Sequence, residues 1–467
     1  MPPGDHPAPD INDHGLLSAS EVGLLIDQYE LAMAGSYHRR GMDEPAVFEL
    51  FARRLPPNRD WLLAAGLGPT LRLIRELRFG DAGLAYLATL GLRDDFLEYL
   101  RGFRFTGDVD AIPEGTVCFA NEPLLRVTAP RIEAQLLETL LLNQVNFQTM
   151  VATKAARVVL AAGRGEPGAG ESVVDFSPRR DHGIDAAMKV ARSAAVAGCG
   201  GTSNVAAAMR YGLRPVGTMA HSYVLSFDSE EEAFEAFLED FPSNTTLLVD
   251  TYDTLQGVRN AIRASRACGT GLRGVRLDSG DLLGLSRETR RLLDDAGMRE
   301  TRIVASGDLE EARIADLVAA GAPIDVWGVG TDLGTSRDSP VVNGVYKLVA
   351  DRAGAAWREV RKLSPDKETL PGPKQVFRSY EERPVENGRE MTGDVIGAAD
   401  EELDGEALVM PAMREGEVVL EESLEAIRER AAAELAALPE RLRRPGPGQA
   451  DEPYPVSWSK RLQAAAG

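Results

Sequence analysis

Cysteine is scarce in this chain: Cys118, Cys199 and Cys268 are its only three in 467 residues. An odd number of cysteines, spread far apart, builds no disulfide framework and matches no zinc-binding spacing. That usage points to a reducing compartment, the cytoplasm. Long apolar runs are missing too, and none reaches the roughly 18 residues that a membrane span needs. The opening residues are rich in proline and aspartate, with no cationic start and no apolar core, so residues 1–14 are expected to be a disordered lead rather than a signal peptide. Basic charge is also in deficit: 52 Lys and Arg stand against 72 Asp and Glu, a net −20. Such a balance excludes the broad basic face that nucleic acid or an anionic membrane would need. It also means that an anionic small molecule must be held by local donors, because the overall field repels it. No Walker P-loop, dinucleotide fingerprint or zinc-binding HExxH occurs, and no repeat of fixed period.

What is present is a soluble composition, 44% hydrophobic and 27% charged, in a chain long enough for two domains. Apolar spacing predicts a helix within residues 16–42, with Leu24, Leu25, Tyr29, Leu31 and Met33 at threes and fours. A strand at 46–51 and alternating short runs from Phe103 to Val127 complete an α+β domain over residues 15–130. The chain then turns strongly helical from Ile132 to Leu160, and a strand–helix rhythm follows. Strands are expected near 173, 215, 247, 274, 303 and 325, and a short strand or loop at 200–204, with helices between them. Ser229 followed by Glu232 reads as a capping box opening one helix. This rhythm predicts a parallel β/α barrel over residues 131–349. Residues 350–467 read as a mixed C-terminal segment, partly packing with the N-terminal domain, with an acidic helix from Glu417 to Leu438 and a loose arm from Arg444. The fold class expected is α/β: an irregular parallel barrel plus a sandwich-like α+β domain.

Five strand-like stretches end on small, charged or hydroxyl residues, the pattern of parallel strands opening onto a catalytic rim. They are Val173 to Ser177, Pro215 to Ser222, Gly274 to Asp281, Ile303 to Asp308 and Asp325 to Thr331. His221 closes the second. A lone histidine is more often structural, but imidazole on such a rim is a ready nucleophile or proton carrier near neutral pH. Thr218 would share the rim. Arg276, Asp278, Ser279, Gly280 and Asp281 combine a guanidinium, two carboxylates, a hydroxyl and a glycine within six residues. Arginine grips phosphate or carboxylate bidentately, while Asp278 and Asp281 could hold Mg²⁺ or sugar hydroxyls. Ser306-Gly307 and Gly328-Val329-Gly330-Thr331 end the last two strands, where barrels often build a phosphate cradle. Arg179 and Arg180 could clamp a carboxylate or pyrophosphate from the first strand. Asp94-Asp95 lies in a helical pattern, and so is not the acidic pair that grips phosphoribosyl pyrophosphate after a strand in Rossmann-like transferases.

In order along the chain, these segments resemble the nicotinate phosphoribosyltransferase family. The segments are Ile26 to Met33, Phe48-Glu49-Leu50-Phe51 with Ala64-Ala65-Gly66-Leu67, Arg179 to Gly183, Gly201 to Asn204, Gly217 to Ser222, Val275 to Asp281 and Gly328 to Thr331. The pattern departs at Gln28, where leucine is common, and at Asp181-His182, where many members carry Ala-Gln. The resemblance implies that nicotinate and phosphoribosyl pyrophosphate give nicotinate mononucleotide and pyrophosphate, with ATP as co-substrate and Mg²⁺ as cofactor. It further implies that His221 is transiently phosphorylated, that Tyr29 stacks on the pyridine ring, that Thr218, Arg180 and Arg276 contact nicotinate, and that Thr331 meets the phosphoribosyl group. A homodimer with a shared active site is implied as well. Two other readings are a nicotinamide phosphoribosyltransferase and a catalytically silent binding relative. Arg180 and Arg276 favour a carboxylate substrate over the first, and the presence of His221, Arg276 and Asp278 disfavours the second.

Overall fold

A computed structural model describes residues 16–243, 245–354, 356–362, 369–383, 388–444, 450 and 452–466. The expected N-terminal lead lies outside the described residues. The chain divides into two compact units, one comprising Met1–Met150, Val341–Arg430 and Ala450–Gly467, the other Val151–Pro340 and Ala431–Gln449.

The first unit interleaves the two ends of the chain. Its seven-stranded sheet runs Ala356–Glu359, Gly344–Ala353, Pro45–Ala52, Pro123–Pro130, Asp108–Ala111, Met410–Arg414, Glu417–Val418. Residues 341–349, counted with the barrel from the sequence, instead belong to this unit, and from Gly344 they extend the sheet: Tyr346 pairs antiparallel with Leu50, and Leu348 with Phe48. Ile132, Leu137 and Leu141 join the same core as Leu50, Phe96 and Val127, so residues 131–150 also belong here. A four-stranded sheet follows the order Glu406–Ala407, Lys374–Arg383, Gly388–Ala398, Val456–Trp458. The described part of the tail is therefore tied down, against the loose arm expected. Val456–Trp458 pairs with Asp394–Ile396, and Leu462 is buried. The acidic helix is shorter than expected, Leu424–Ala437, because residues 417–418 are spent on a strand.

The second unit is the parallel half. Six strands lie in the order Gly201–Thr202, Val173–Asp175, Val326–Val329, Arg302–Ala305, Gly274–Leu277, Thr246–Leu248, and all five pairings are parallel. The last strand in the chain pairs with the first, as a sheet curling toward a barrel requires. Curling stops at a half-barrel. The stretch at 215, expected as a strand, supplies a single bridge, Thr202 to Pro215. Proline carries no N–H to extend a ladder and Gly217 weakens one, which accounts for the missing strand. Four of the helices in this unit start on a short polar side chain that satisfies orphan N–H groups, whereas Ile184–Val196 follows Gly183 without one. Asn204 accepts from Ala207, Ser229 from Glu232, Asp253 from Gln256 and Asp281 from Gly284.

Candidate active site

The carboxyl ends of these strands collect polar side chains into one hydrogen-bonded group. Arg276, the penultimate residue of the strand Gly274–Leu277, donates from Nε to Ser306 Oγ at 2.7 Å, from Nη1 to Thr218 Oγ1 at 3.2 Å and from Nη2 to Asp278 Oδ1 at 2.7 Å. Ser306 in turn donates to Asp278 Oδ1 at 2.5 Å. Burial pushes the Asp278 carboxyl up, but Ser306, Arg276 and His221 outweigh it and hold it below the usual carboxylate range. His221 Nε2 stands 3.9 Å from Asp278 Oδ2, and its Nδ1 lies 3.1 Å from Thr251 Oγ1. The imidazole is 44% exposed and so open to solvent. His221 does not close a strand. It opens the short helix His221–Val224, which follows the bridge at Pro215.

Three residues of this group were not singled out from the sequence. Asp250 accepts from the Asp278 N–H at 2.9 Å and from Ser279 Oγ at 2.8 Å, and its other oxygen is buried without a partner among the described residues. Thr251 orients His221. The signal was available: Leu247-Leu248-Val249-Asp250-Thr251 ends a strand in the same way as its five neighbours. Phe176 is the third. Its ring lies 5.4 Å from the Arg276 guanidinium carbon, and a Cβ added at Gly328 would meet it at 2.6 Å. Gly328 is thus small because an aromatic ring crosses it. Gly307 is glycine for two reasons, a φ of +84° and an approach that would put a Cβ 1.9 Å from the Asp278 carbonyl oxygen.

The structure brings together Thr218, His221, Arg276, Asp278 and Ser306, with Ser279 joined through Asp250. Gly328 and Gly330-Thr331 follow the neighbouring strand, with Gly330 capping the helix Thr331–Thr335. Arg179 and Arg180 are exposed, and neither makes a side-chain hydrogen bond or ion pair among the described residues. Beside them, burial and the nearby Asp175 push the Asp181 carboxyl up to about 6. Asp281 accepts from Gly284 N at 3.2 Å as a helix cap, and Asp278 is engaged by Arg276 and Ser306. A Mg²⁺ ion on this pair would have to displace those contacts. Among the described residues, no three His, Cys, Asp or Glu are grouped so as to hold a metal. Tyr29 belongs to the other unit. It stands on the helix Gln28–Arg39, half exposed, while Glu30 and Leu31 turn inward, so it is not a packed core tyrosine.

A guanidinium, a carboxylate and an imidazole on the carboxyl rim of a parallel half-barrel define an enzyme of the β/α-barrel class. Residues 24–146 match the N-terminal domain model of nicotinate phosphoribosyltransferase, and residues 172–353 match the model of the nicotinate phosphoribosyltransferase family. A nicotinate phosphoribosyltransferase of Mycobacterium tuberculosis is 47% identical over 94% of this chain and 92% of its own length. The human enzyme of that name is 33% identical over 94% of this chain and 95% of its own. The crystal structure of human nicotinic acid phosphoribosyltransferase superposes with a TM-score of 0.81 at 29% identity, covering 94% of this chain and 99% of that one. The chain belongs to the nicotinate phosphoribosyltransferase family.

Proposed function

We propose that this chain forms nicotinate mononucleotide and pyrophosphate from nicotinate and phosphoribosyl pyrophosphate, with ATP hydrolysis coupled through a phosphohistidine at His221, in NAD biosynthesis. The observation that carries the reading is Arg276 fixed by Thr218, Ser306 and Asp278 beside His221. Three of its five N–H donors are used, which leaves two for a substrate carboxylate without any rearrangement. Phe176 supplies an apolar face next to them for a flat ring.

In this reading pyrophosphate leaves the ribose carbon through an oxocarbenium-like state, and nicotinate nitrogen forms the new bond. The Gly307 loop and the Gly328 to Thr331 segment approach the phosphates with backbone, which a net charge of −20 makes necessary. Coupling begins when a neutral His221 nitrogen attacks the terminal phosphorus of ATP. The N–P bond forms, the P–O bond to ADP breaks, and water later releases phosphate from the imidazole. Asp278 holds positive charge on the ring and Thr251 fixes its orientation. Mg²⁺, when bound with the phosphates, would neutralise their charge. We further infer a cytoplasmic homodimer. Among the described residues Cys118, Cys199 and Cys268 form no disulfide, in keeping with a reducing setting, and no helix is long and apolar enough to cross a membrane.

The test incubates the protein with phosphoribosyl pyrophosphate, Mg²⁺ and either nicotinate or nicotinamide, with and without ATP, and follows the mononucleotide. Nicotinate should be the substrate and ATP should raise the yield. A preference for nicotinamide, or no product from either, would overturn the reading.

A further inference from the structure

Lys154 is a buried cation that the chemistry above does not use. On the helix Glu138–Ala162 it sits one turn before Arg157, on the same face, and its side chain is 1% exposed. Its Nζ lies 2.5 Å from Glu311 Oε2, 2.9 Å from Asp338 Oδ1 and 4.0 Å from Asp332 Oδ1. Arg157 Nε takes the other Glu311 oxygen at 3.0 Å. Burial pushes the Glu311 carboxyl up, but Lys154 and Arg157 outweigh it and hold it below its ordinary range.

The carboxylates come from two places only. Glu311 opens the helix Glu311–Ala319, directly after the Ser306-Gly307-Asp308 turn. Asp332 and Asp338 lie in and just beyond the helix Thr331–Thr335, directly after Gly330. One ammonium therefore ties together the two rim segments that the proposed reaction uses for the phosphoribosyl group. A buried ion pair contributes little net stability compared with apolar side chains of the same volume, because desolvation offsets the attraction. What it supplies is directional geometry.

We propose that Lys154 is a positioning residue for phosphoribosyl pyrophosphate, fixing the spacing between the 306–308 turn and the 330–331 segment. The assignment rests on the functional reading above. Removing the ammonium leaves Glu311 to Arg157 alone and Asp332 to Arg337 alone, with no cation shared between the two segments, so their spacing is no longer fixed. Nicotinate is disturbed less, because Arg276 keeps its bonds to Thr218 and Asp278 when the Ser306 turn shifts.

The experiment uses the full chain as wild type, Lys154→Met, Asp338→Asn and, as a packing control on the same helix, Val158→Ala. Phosphoribosyl pyrophosphate binding is measured by calorimetry, and KM for both substrates by initial rates, well below each variant's Tm. Lys154→Met should weaken phosphoribosyl pyrophosphate about tenfold, since small misplacements at a binding site carry such factors, while the nicotinate KM stays within about twofold. Asp338→Asn, which keeps the Glu311 contact, should show about a threefold effect of the same kind and decides the matter if Lys154→Met does not fold. Val158→Ala should lower Tm without this split. An unchanged phosphoribosyl pyrophosphate affinity, an equal loss for both substrates, or the same split in Val158→Ala overturns the proposal. Wild type that binds phosphoribosyl pyrophosphate but makes no mononucleotide overturns only the reaction; wild type that does not bind it overturns both.

Discussion

Arg276 and Asp278, two residues apart at the end of one strand, are joined by a 2.7 Å bond from Nη2 to Oδ1. Alternation along a strand puts both side chains on the same face, so the pair is written into the local sequence. The pairing changes what a substitution at Arg276 means. Removing the guanidinium deletes a substrate contact and also leaves Asp278 without its cation.

Arg276→Ala should therefore raise the nicotinate KM about ten- to a hundredfold, the worth of a charge-assisted contact. Its effect on the ATP requirement should be small. Adding Asp278→Asn should recover part of the loss, because the stranded carboxylate is then neutral. Steady-state kinetics on the single and double variants check this, and an unchanged nicotinate KM would move Arg276 to a structural role.

His221→Ala should abolish ATP stimulation and leave slow, ATP-independent transfer, since the imidazole is assigned to coupling and not to attack on ribose. Thr251→Val, which removes the partner 3.1 Å from Nδ1, should reduce the stimulation without eliminating it. Labelled ATP provides the second readout. Acid-labile phosphate should appear on wild type and be lost in His221→Ala; label retained in that variant would place the phosphoryl group elsewhere.

Gly328→Ala tests the aromatic wall. A Cβ there would meet the Phe176 ring at 2.6 Å, so the ring must move. Overpacking of this kind costs about 1–3 kcal/mol, read as a lower Tm, and the nicotinate KM should rise with it. The phosphoribosyl pyrophosphate KM, read on the same Gly328 to Thr331 segment, should rise less than the nicotinate KM. Equal effects on both substrates would remove Phe176 from the pyridine site.

Much of the half-barrel was legible, because a β-branched or leucine run stopping on Asp, Ser or Gly marks a parallel strand at a rim wherever it occurs. Arg276, Asp278 and Ser306 were found that way and do share hydrogen bonds. Asp250 and Thr251 obey the same rule and were passed over, as was Phe176, whose role depends on a glycine 152 positions away that only the fold places beneath it. The strand at 215 was over-read: apolar Val216 suggested one, but Pro215 denies the ladder a donor. The assignment of 341–349 failed for another reason, since a strand's sequence does not say which sheet it will join. Lys154 is the extreme case. Nothing local distinguishes it from a surface lysine until three distant carboxylates surround it.

Glu30, next to Tyr29, should make stability depend on pH. Thr139 Oγ1 faces both Glu30 Oε1 at 2.5 Å and Asp27 Oδ2 at 3.1 Å, and one hydroxyl hydrogen cannot serve two carboxylates. Burial, then Glu138 and Asp27, push the Glu30 carboxyl from 4.5 up to about 7. A raised folded value means that the fold holds a proton the unfolded chain releases, so this contribution is full below about 4.5, declines as pH rises, and is gone above about 7. Glu30→Gln removes the dependence. The Tm of the variant minus that of wild type should grow between pH 5 and pH 8, by at most about 3 kcal/mol of stability. A difference constant across that range would refute the assignment.

Tyr29 provides the test of assembly. Its ring is half exposed although Glu30 and Leu31 beside it are buried, and its hydroxyl is engaged by Glu138, a residue of the same unit. A tyrosine held by its hydroxyl presents a fixed ring to solvent with little entropy left to lose on stacking. The proposal that this ring covers nicotinate in a second subunit then has a sharp consequence. Tyr29→Ala and His221→Ala should each lose ATP-coupled turnover as homodimers. Mixed under conditions of subunit exchange, they should form heterodimers in which one site has both residues intact, so that activity returns to a fraction of wild type. Exchange is confirmed separately by mass spectrometry of differently tagged chains. Confirmed exchange with no recovered activity would mean that Tyr29 serves its own subunit, because one site of the heterodimer then lacks Tyr29 and the other lacks His221.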